Sequence, residues 1–184
     1  MRVVSGTARG IVLKTPDGIA TRPTADRVKE AMFSIIQFDL PGAMLLDLFG
    51  GTGQLGIEAL SRGAKSAVFV DFAPSACKLI EENLKRTKLQ QQGRVVRSDY
   101  LTFLKNCNEK YDIILLDPPY AENFLENALN LITEIDILQT NGIIVAERPL
   151  GKDLSLNFPG YSRSRDYKYG STLLAVYRKE DSKE

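Results

Sequence analysis

The sequence predicts an α/β fold built on a mostly parallel, doubly wound sheet with helices on both faces. Three observations carry this expectation. β-Branched apolar runs alternate with stretches of helical period along the chain. The runs are almost continuously apolar, as strands covered on both faces must be. A glycine-rich turn, Gly51-x-Gly53-x-x-Gly56, joins the first strong run to a helical stretch.

Strands are expected over 44–49, 66–71, 94–99, 111–117, 142–148 and 172–178. The first clear helix spans 24–36 with Thr24 as its N-cap, and the second spans 54–62 and stops at Gly63. A third covers 74–88, with Pro74 in its first turn and Lys85, Arg86 and Lys88 near its end, where cations suit the helix dipole. The fourth covers 124–138. Two stretches break the alternation. Residues 1–15 hold two short extended runs around Gly6-Thr7-Ala8-Arg9-Gly10, which predicts a small N-terminal β-hairpin. Between Arg148 and Thr172, the residues Pro149, Gly151, Pro159 and Gly160 leave no room for a helix, so the last strand is expected to pair antiparallel with its predecessor. At 184 residues the chain fits one domain, with the hairpin as its extension.

Composition narrows the chemistry. Without a single histidine, the chain has no Ser-His-Asp or Cys-His centre. Cys77 and Cys107 stand far apart and form no Cys-x-x-Cys, so no metal site is expected. No apolar run reaches membrane-spanning length and the first residues lack the apolar segment of a signal peptide, which predicts a cytoplasmic protein. Net charge is only +1, yet it is unevenly spread. Residues 1–30 hold six Lys/Arg against three Asp/Glu, residues 148–184 eight against five, and the middle ten against fifteen. If the two ends meet in the fold, they form a basic rim around an acidic centre, suited to a polyanion that approaches a site holding a cation.

That acidic centre is patterned. Asp47, Asp71, Asp99 and Asp117 each close an expected strand, on one edge of the predicted sheet. In an open parallel sheet this edge is where ligands bind. The glycines let a ligand lie against the backbone, and Asp71, twenty residues past Gly51, is placed to take both hydroxyls of a ribose. A dinucleotide brings a pyrophosphate, which carboxylates repel, whereas S-adenosylmethionine brings a sulfonium cation and no phosphate. The acids therefore favour S-adenosylmethionine over NAD.

Asp117-Pro118-Pro119-Tyr120 follows the apolar run Ile113-Ile114-Leu115-Leu116 and reads as a pocket for the amino group of a planar base. Such an amine is a poor nucleophile because its lone pair is delocalised into the ring. The Asp117 carboxylate and the Pro118 carbonyl can each accept one of its N–H groups and turn the lone pair toward a methyl donor. Two prolines stiffen the turn and remove two backbone donors, and Tyr120 can stack on the base, an interaction worth about 1–3 kcal/mol. Three other readings stay open on these residues: an amino-methyltransferase for DNA or protein, an NAD-dependent oxidoreductase sharing the glycine loop, and a noncatalytic RNA-binding module.

The pairing of Asp47-x-Phe49-x-Gly51-x-Gly53 with Asp117-Pro118-Pro119-Tyr120 resembles the amino-methyltransferase branch of the Rossmann-like, class I S-adenosylmethionine-dependent enzymes. Within that branch, the segment from Arg22-Pro23-Thr24 to Met32-Phe33, the N-terminal Arg2-Val3-Val4-Ser5-Gly6 and Arg9-Gly10, and Tyr169-Gly170-Ser171-Thr172 are similar to the RsmD family of bacterial 16S ribosomal RNA guanine-N2 methyltransferases. The likeness spans nearly the whole chain. It departs at Ala25, where a second threonine is usual, at Ser5 for a glycine, and at Ser171, where an acid is common. The resemblance implies roles for the matched residues. Asp47 and Phe49 would bind the cofactor, Gly51 and Gly53 would admit its methionine part, Asp71 would take its ribose and Asp99 its adenine amine, with Arg22 and Thr24 near the methionine end or the target base. Asp117, Pro118 and Tyr120 would hold the guanine. Arg2, Arg9, Lys14, Arg163, Arg165 and Lys168 are the candidates for phosphate contacts, on 16S ribosomal RNA or a small-subunit assembly particle met by a monomer.

Overall fold

The computed structural model describes residues 1–16, 23–119, 123–151, 158–164 and 166–180, with the backbone alone for 23–26. Helix α1 (Pro23–Ile35) leads into β1 (Met44–Asp47), α2 (Gln54–Ser61), β2 (Ser66–Asp71), α3 (Pro74–Thr87) and β3 (Gly93–Arg97). Then follow α4 (Tyr100–Lys105), β4 (Tyr111–Leu116), α5 (Phe124–Ile135), β5 (Leu138–Pro149), β6 (Tyr161–Arg163), β7 (Tyr167–Tyr169) and β8 (Thr172–Lys179). The sheet runs in the order β3-β2-β1-β4-β5-β8-β6, and β7 pairs with β8 as well. Strands β1 to β5 are parallel, and β8 lies antiparallel to β5, as expected. The chain winds outward from β1 in one direction through β2 and β3, then in the other through β4 and β5. The carboxyl ends of β1 and β4 thus flank the topological switch point.

The apolar strands pack on both faces. On one side Leu45, Phe69, Ile113 and Val145 meet α1, α2 and α3 through Met32, Phe33, Ile57, Ile80 and Leu84. On the other, Leu46, Val68, Ile114 and Ile144 meet α4 and α5 through Leu104, Leu129 and Ile132. All six residues of β4 are held between these layers, and only Asp112 keeps any exposure.

Several expected boundaries moved. Helix α5 ends at Ile135 rather than 138, because Asp136 takes a left-handed conformation (φ 54°) and turns the chain into β5, which starts at Leu138. Helix α4 was not anticipated, since six residues are too few to show a period. Helix α1 begins at Pro23, so Thr24 sits in its first turn instead of capping it. The stretch expected to be irregular after Arg148 supplies two short strands, β6 and β7, both on β8.

The N-terminal hairpin is narrower than a strand pair. It has a single antiparallel bridge, Arg2 with Val12, supported by N–H bonds from Val3 to the Ile11 carbonyl (3.0 Å) and from Leu13 to the Met1 carbonyl (3.0 Å). Its hold comes from the body of the fold. Val3, Ala8 and Leu13 enter the core. The buried Glu58 carboxylate of α2 accepts from the amides of Val4 (2.8 Å) and Ser5 (3.0 Å). The Ser61 hydroxyl accepts from the Ala8 amide and donates to the Ser5 carbonyl. Gly6 (φ 82°) runs so close to α2 that a Cβ there would lie 1.7 Å from the Ser61 carbonyl oxygen. Helix α1 touches both the hairpin, where Lys29 Nζ donates to the Arg2 carbonyl, and β7, whose Tyr167 and Tyr169 pack on the same layer as the hairpin's apolar residues.

Candidate active site

At the switch point the loop after β1 opens two cavities. The larger, about 380 Å³, is walled by Leu48, Phe49, Gly51, Val70, Asp71, Phe72, Ser98, Asp99, Tyr100, Asp117, Pro118, Pro119 and Phe124. The smaller, about 220 Å³, lies under the glycine loop between Asp47, Gln54, Leu55 and Asp117, with Met1 at its rim. Phe49, Gly51 and Asp117 line both. Three of the four expected strand-end acids face the larger cavity, and no Lys or Arg among the described residues lines it. Such a wall repels a pyrophosphate and attracts a cation.

Each acid is held differently. Asp47 closes β1, fully buried; its Oδ2 accepts from the Gly56 amide (3.0 Å), while Oδ1 has no hydrogen-bond partner among the described residues. Burial, and then the nearby Asp71 charge, push its carboxyl up to about 7 against the pull of the Gly56 amide. Asp71 Oδ2 accepts from the Gly51 amide and Oδ1 from the Ala73 amide, both at 2.9 Å, leaving each oxygen a further lone pair toward the cavity. Asp99 stands two residues past the end of β3 and is first of all an N-cap: its Oδ1 accepts from Leu101 (3.0 Å) and Thr102 (3.2 Å) at the start of α4. That cap alone gives the residue type at this position a structural cause. Asp117 follows β4 directly, and burial, then the Glu147 and Asp47 charges, hold its carboxyl well above the usual range.

The three glycines divide their duties. Gly51 (φ 54°) lines both cavities, and a Cβ on it would meet nothing nearer than the Phe49 carbonyl at 3.9 Å, so that position is kept bare toward the ligand space. Gly53 (φ 78°) immediately precedes α2, and a Cβ on it would meet Ile80 and Ile57 at 3.1–3.2 Å. At Gly56 a Cβ would lie 2.2 Å from the Phe69 ring, so this glycine lets α2 sit directly on β2.

Phe49, named beforehand, is one of three rings forming the apolar wall, 5.2 Å from Tyr100 and 6.4 Å from Phe124 between centroids. Neither partner was singled out: Tyr100 opens the unanticipated α4, and Phe124 opens an expected helix with no local pattern that ties it to the site. Phe72, 73% exposed at the cavity mouth beside Asp71, was missed too; an exposed phenylalanine next to a strand-end acid was the available signal. Pro118 is buried and Pro119 exposed, and both line the larger cavity. Arg22, Tyr120 and Arg165 lie outside the described residues, as does the side chain of Thr24. Of the expected phosphate-binding residues, Arg2, Arg9 and Lys168 are exposed. Lys14 is paired with Glu82 (2.8 Å) and Arg163 with Asp166 (3.1 Å).

Fold and site together define a Rossmann-like methyltransferase dependent on S-adenosylmethionine. The chain belongs to the family described as Conserved hypothetical protein 95, whose model matches residues 1–178, and the RsmD resemblance holds. It is 40% identical to YlbH of Bacillus subtilis strain 168, provisionally named an rRNA methyltransferase, over 97% of this chain and 99% of that one. It is 31% identical to ribosomal RNA small subunit methyltransferase D of Escherichia coli K12, over 98% of this chain and 90% of that one. The solved yhhF structure from Escherichia coli superposes with a TM-score of 0.89 at 29% identity, over 98% of both chains. The oxidoreductase reading falls away with this family membership.

Proposed function

We propose that this protein methylates the exocyclic N2 amine of one guanine in small-subunit (16S) ribosomal RNA, acting as a single-domain monomer in the cytoplasm. The observation that carries the reading is Asp117, among the described residues the one carboxylate that lines both cavities. A donor lying across the glycine loop and an amine entering beside Pro118 meet at that side chain.

The residues present fit S-adenosylmethionine. The unpartnered Oδ1 of buried Asp47 suits the donor's ammonium group, and bare Gly51 gives its amino-acid end room. Asp71 keeps lone pairs for the ribose hydroxyls, Asp99, whose Oδ1 caps α4, would accept from the adenine amine through Oδ2, and Phe72 and the Phe49–Tyr100–Phe124 wall would take the ring. When bound, the cofactor supplies a methyl group on a positively charged sulfur. Asp117 and the Pro118 carbonyl accept the two N–H bonds of the target amine, which localises its lone pair and aims it. As the nitrogen takes the methyl it becomes cationic, and Asp117 stabilises that charge until a proton leaves to water. Orientation of this kind can supply up to about 7–11 kcal/mol, so no strong base is required. A paired guanine must unstack to enter, at a cost of a few kcal/mol. Exposed Arg2, Arg9 and Lys168 are the phosphate contacts this reading favours.

A pH dependence follows. Asp47 is half protonated near pH 7 in the free protein. A bound cation favours its ionised form, so cofactor affinity rises as pH rises through 7, and binding at pH 6.5 releases protons. Calorimetric titrations in two buffers of different ionisation enthalpy measure this directly; equal heats in both would contradict it. Folding stability carries the opposite sign, because a carboxyl with a raised folded-state pKa costs stability as pH climbs from about 4 toward 7.

The function itself is tested by deleting the gene in its host and digesting small-subunit RNA to nucleosides. One N2-methylguanosine should vanish and return with the wild-type gene but not with Asp117→Ala. Loss of a different methylated nucleoside would overturn the base assignment.

A further inference from the structure

The glycine loop is fixed residue by residue. The Gly50 amide donates to the Val70 carbonyl (2.8 Å), the Gly51 amide to Asp71 Oδ2 (2.9 Å) and the Gly53 amide to the Gly50 carbonyl (2.7 Å). Helix α3 backs the loop with Ile80, which a Cβ on Gly50 or Gly53 would meet at 2.8 or 3.1 Å. Three residues on, and so on the same face of the helix, Asn83 Nδ2 donates to the Thr52 carbonyl (2.9 Å). Asn83 is fully buried, and its amide also reaches the N-terminal hairpin: Oδ1 accepts from the Lys14 amide (2.8 Å) and Nδ2 donates to the Lys14 carbonyl (3.1 Å). These two bonds pin the plane of the amide, and its remaining N–H then falls on Thr52. Turned over, the amide would set its oxygen against two carbonyls and its N–H groups against the Lys14 N–H. Thr52 meets the hairpin a second time through its hydroxyl, which donates to Met1 Sδ (3.4 Å). Both Thr52 and Met1 line the smaller cavity, beside Asp47 with its unpartnered oxygen.

We infer that Asn83 is a positioning residue for the cofactor: oriented by the hairpin backbone at Lys14, it holds the Thr52 peptide in the shape that receives the amino-acid end of S-adenosylmethionine. The inference rests on the placement of that end in the smaller cavity, given above. A hold from outside the loop is needed because Gly51 (φ 54°) and Gly53 (φ 78°), on either side of Thr52, have no Cβ to restrict the backbone. A loop left free must be ordered when the ligand arrives, and that ordering weakens binding. The bond from Asn83 orders Thr52 beforehand. The adenosine part of the cofactor lies in the larger cavity, which neither Thr52 nor Met1 lines. Loss of Asn83 is therefore felt at one end of the ligand and not at the other.

Two ligands separate these ends. S-adenosylhomocysteine carries the amino-acid end, and 5′-methylthioadenosine lacks it. Calorimetric affinities for both are compared, on the full chain and without RNA, in wild type, Asn83→Leu, Lys14→Pro and Lys14→Ala, with a thermal melt of each. Leucine keeps the size of asparagine but not its amide. Proline removes the N–H that orients that amide, while alanine keeps the N–H and removes only the exposed ion pair with Glu82. Asn83→Leu and Lys14→Pro should each lose roughly tenfold in S-adenosylhomocysteine affinity, the worth of one buried hydrogen bond. Their affinity for 5′-methylthioadenosine should change little, and Lys14→Ala should bind both as wild type does. If Asn83→Leu fails to fold, Lys14→Pro, at an exposed position, decides alone. Unchanged S-adenosylhomocysteine affinity, or an equal loss for both ligands, would overturn the positioning role; so would a loss in Lys14→Ala as large as that in Lys14→Pro. If wild type binds the two ligands equally well, the placement of the amino-acid end falls and this inference with it.

Discussion

Asp117→Ala is expected to lower methyl transfer by at least about 10²–10³-fold, with S-adenosylmethionine affinity changed little. The separation follows from the geometry. The cofactor retains Asp47, Asp71, Asp99 and the aromatic wall, whereas the target amine loses the carboxylate that, among the described residues, alone lines both cavities. Stability should move the other way. Burial and the neighbouring Glu147 and Asp47 charges raise the Asp117 pKa, so its ionised form is a cost to the native state. That cost is absent below the unfolded-state pKa near 4 and grows as pH rises toward neutrality. The variant should therefore be at least as stable as wild type at pH 8, with any gain shrinking toward pH 4. Thermal melts at both pH values, alongside transfer rates, separate loss of chemistry from loss of fold. A variant with near-normal turnover would remove Asp117 from the mechanism; one that is inactive but strongly destabilised would show that it serves the fold.

Glu58→Ala carries the largest expected effect on stability, a loss of about 3–5 kcal/mol, as for other buried ion pairs cut on one side. Glu58 is fully buried, and four groups depend on it: the amides of Val4 and Ser5, Arg62 Nε at 2.8 Å, and the buried Lys29 ammonium at 3.6 Å. Truncation strands a buried cation and two amides at once. The hairpin it anchors also reaches the cofactor loop, since the buried Asn83 amide accepts from the Lys14 amide (2.8 Å) and donates to the Lys14 carbonyl (3.1 Å) and to the Thr52 carbonyl (2.9 Å). Loosening the hairpin should thus weaken cofactor binding along with stability. Urea unfolding measures the first effect and calorimetry the second; a loss under about 1 kcal/mol would show that the hairpin holds by its apolar contacts alone.

The parts of this architecture legible in the sequence were those with local causes. β-Branched apolar runs gave the parallel strands, and the turn residues around Pro149 and Gly160 led to the antiparallel closing strand. The cofactor edge was legible because chemistry repeats there: acids at successive strand ends beside a glycine turn. What escaped notice depends on contacts distant in sequence. Glu58 looks like an ordinary surface acid of an amphipathic helix until Val4 and Ser5, more than fifty residues away, donate to it. Asn83 is likewise unremarkable within α3 until Lys14 arrives. Nor did the sequence show that one oxygen of Asp99 also caps α4, or that Gly53 also lies against Ile80.

The central claim is that Asp117 directs a methyl group to guanine N2. Purified protein given methyl-labelled S-adenosylmethionine and small-subunit ribosomal RNA from cells lacking the gene, followed by nucleoside separation, tests it most directly. The account predicts that label is recovered as N2-methylguanosine with wild type and is absent with Asp117→Ala. Label recovered as N6-methyladenosine, or transferred equally well by the variant, would contradict it.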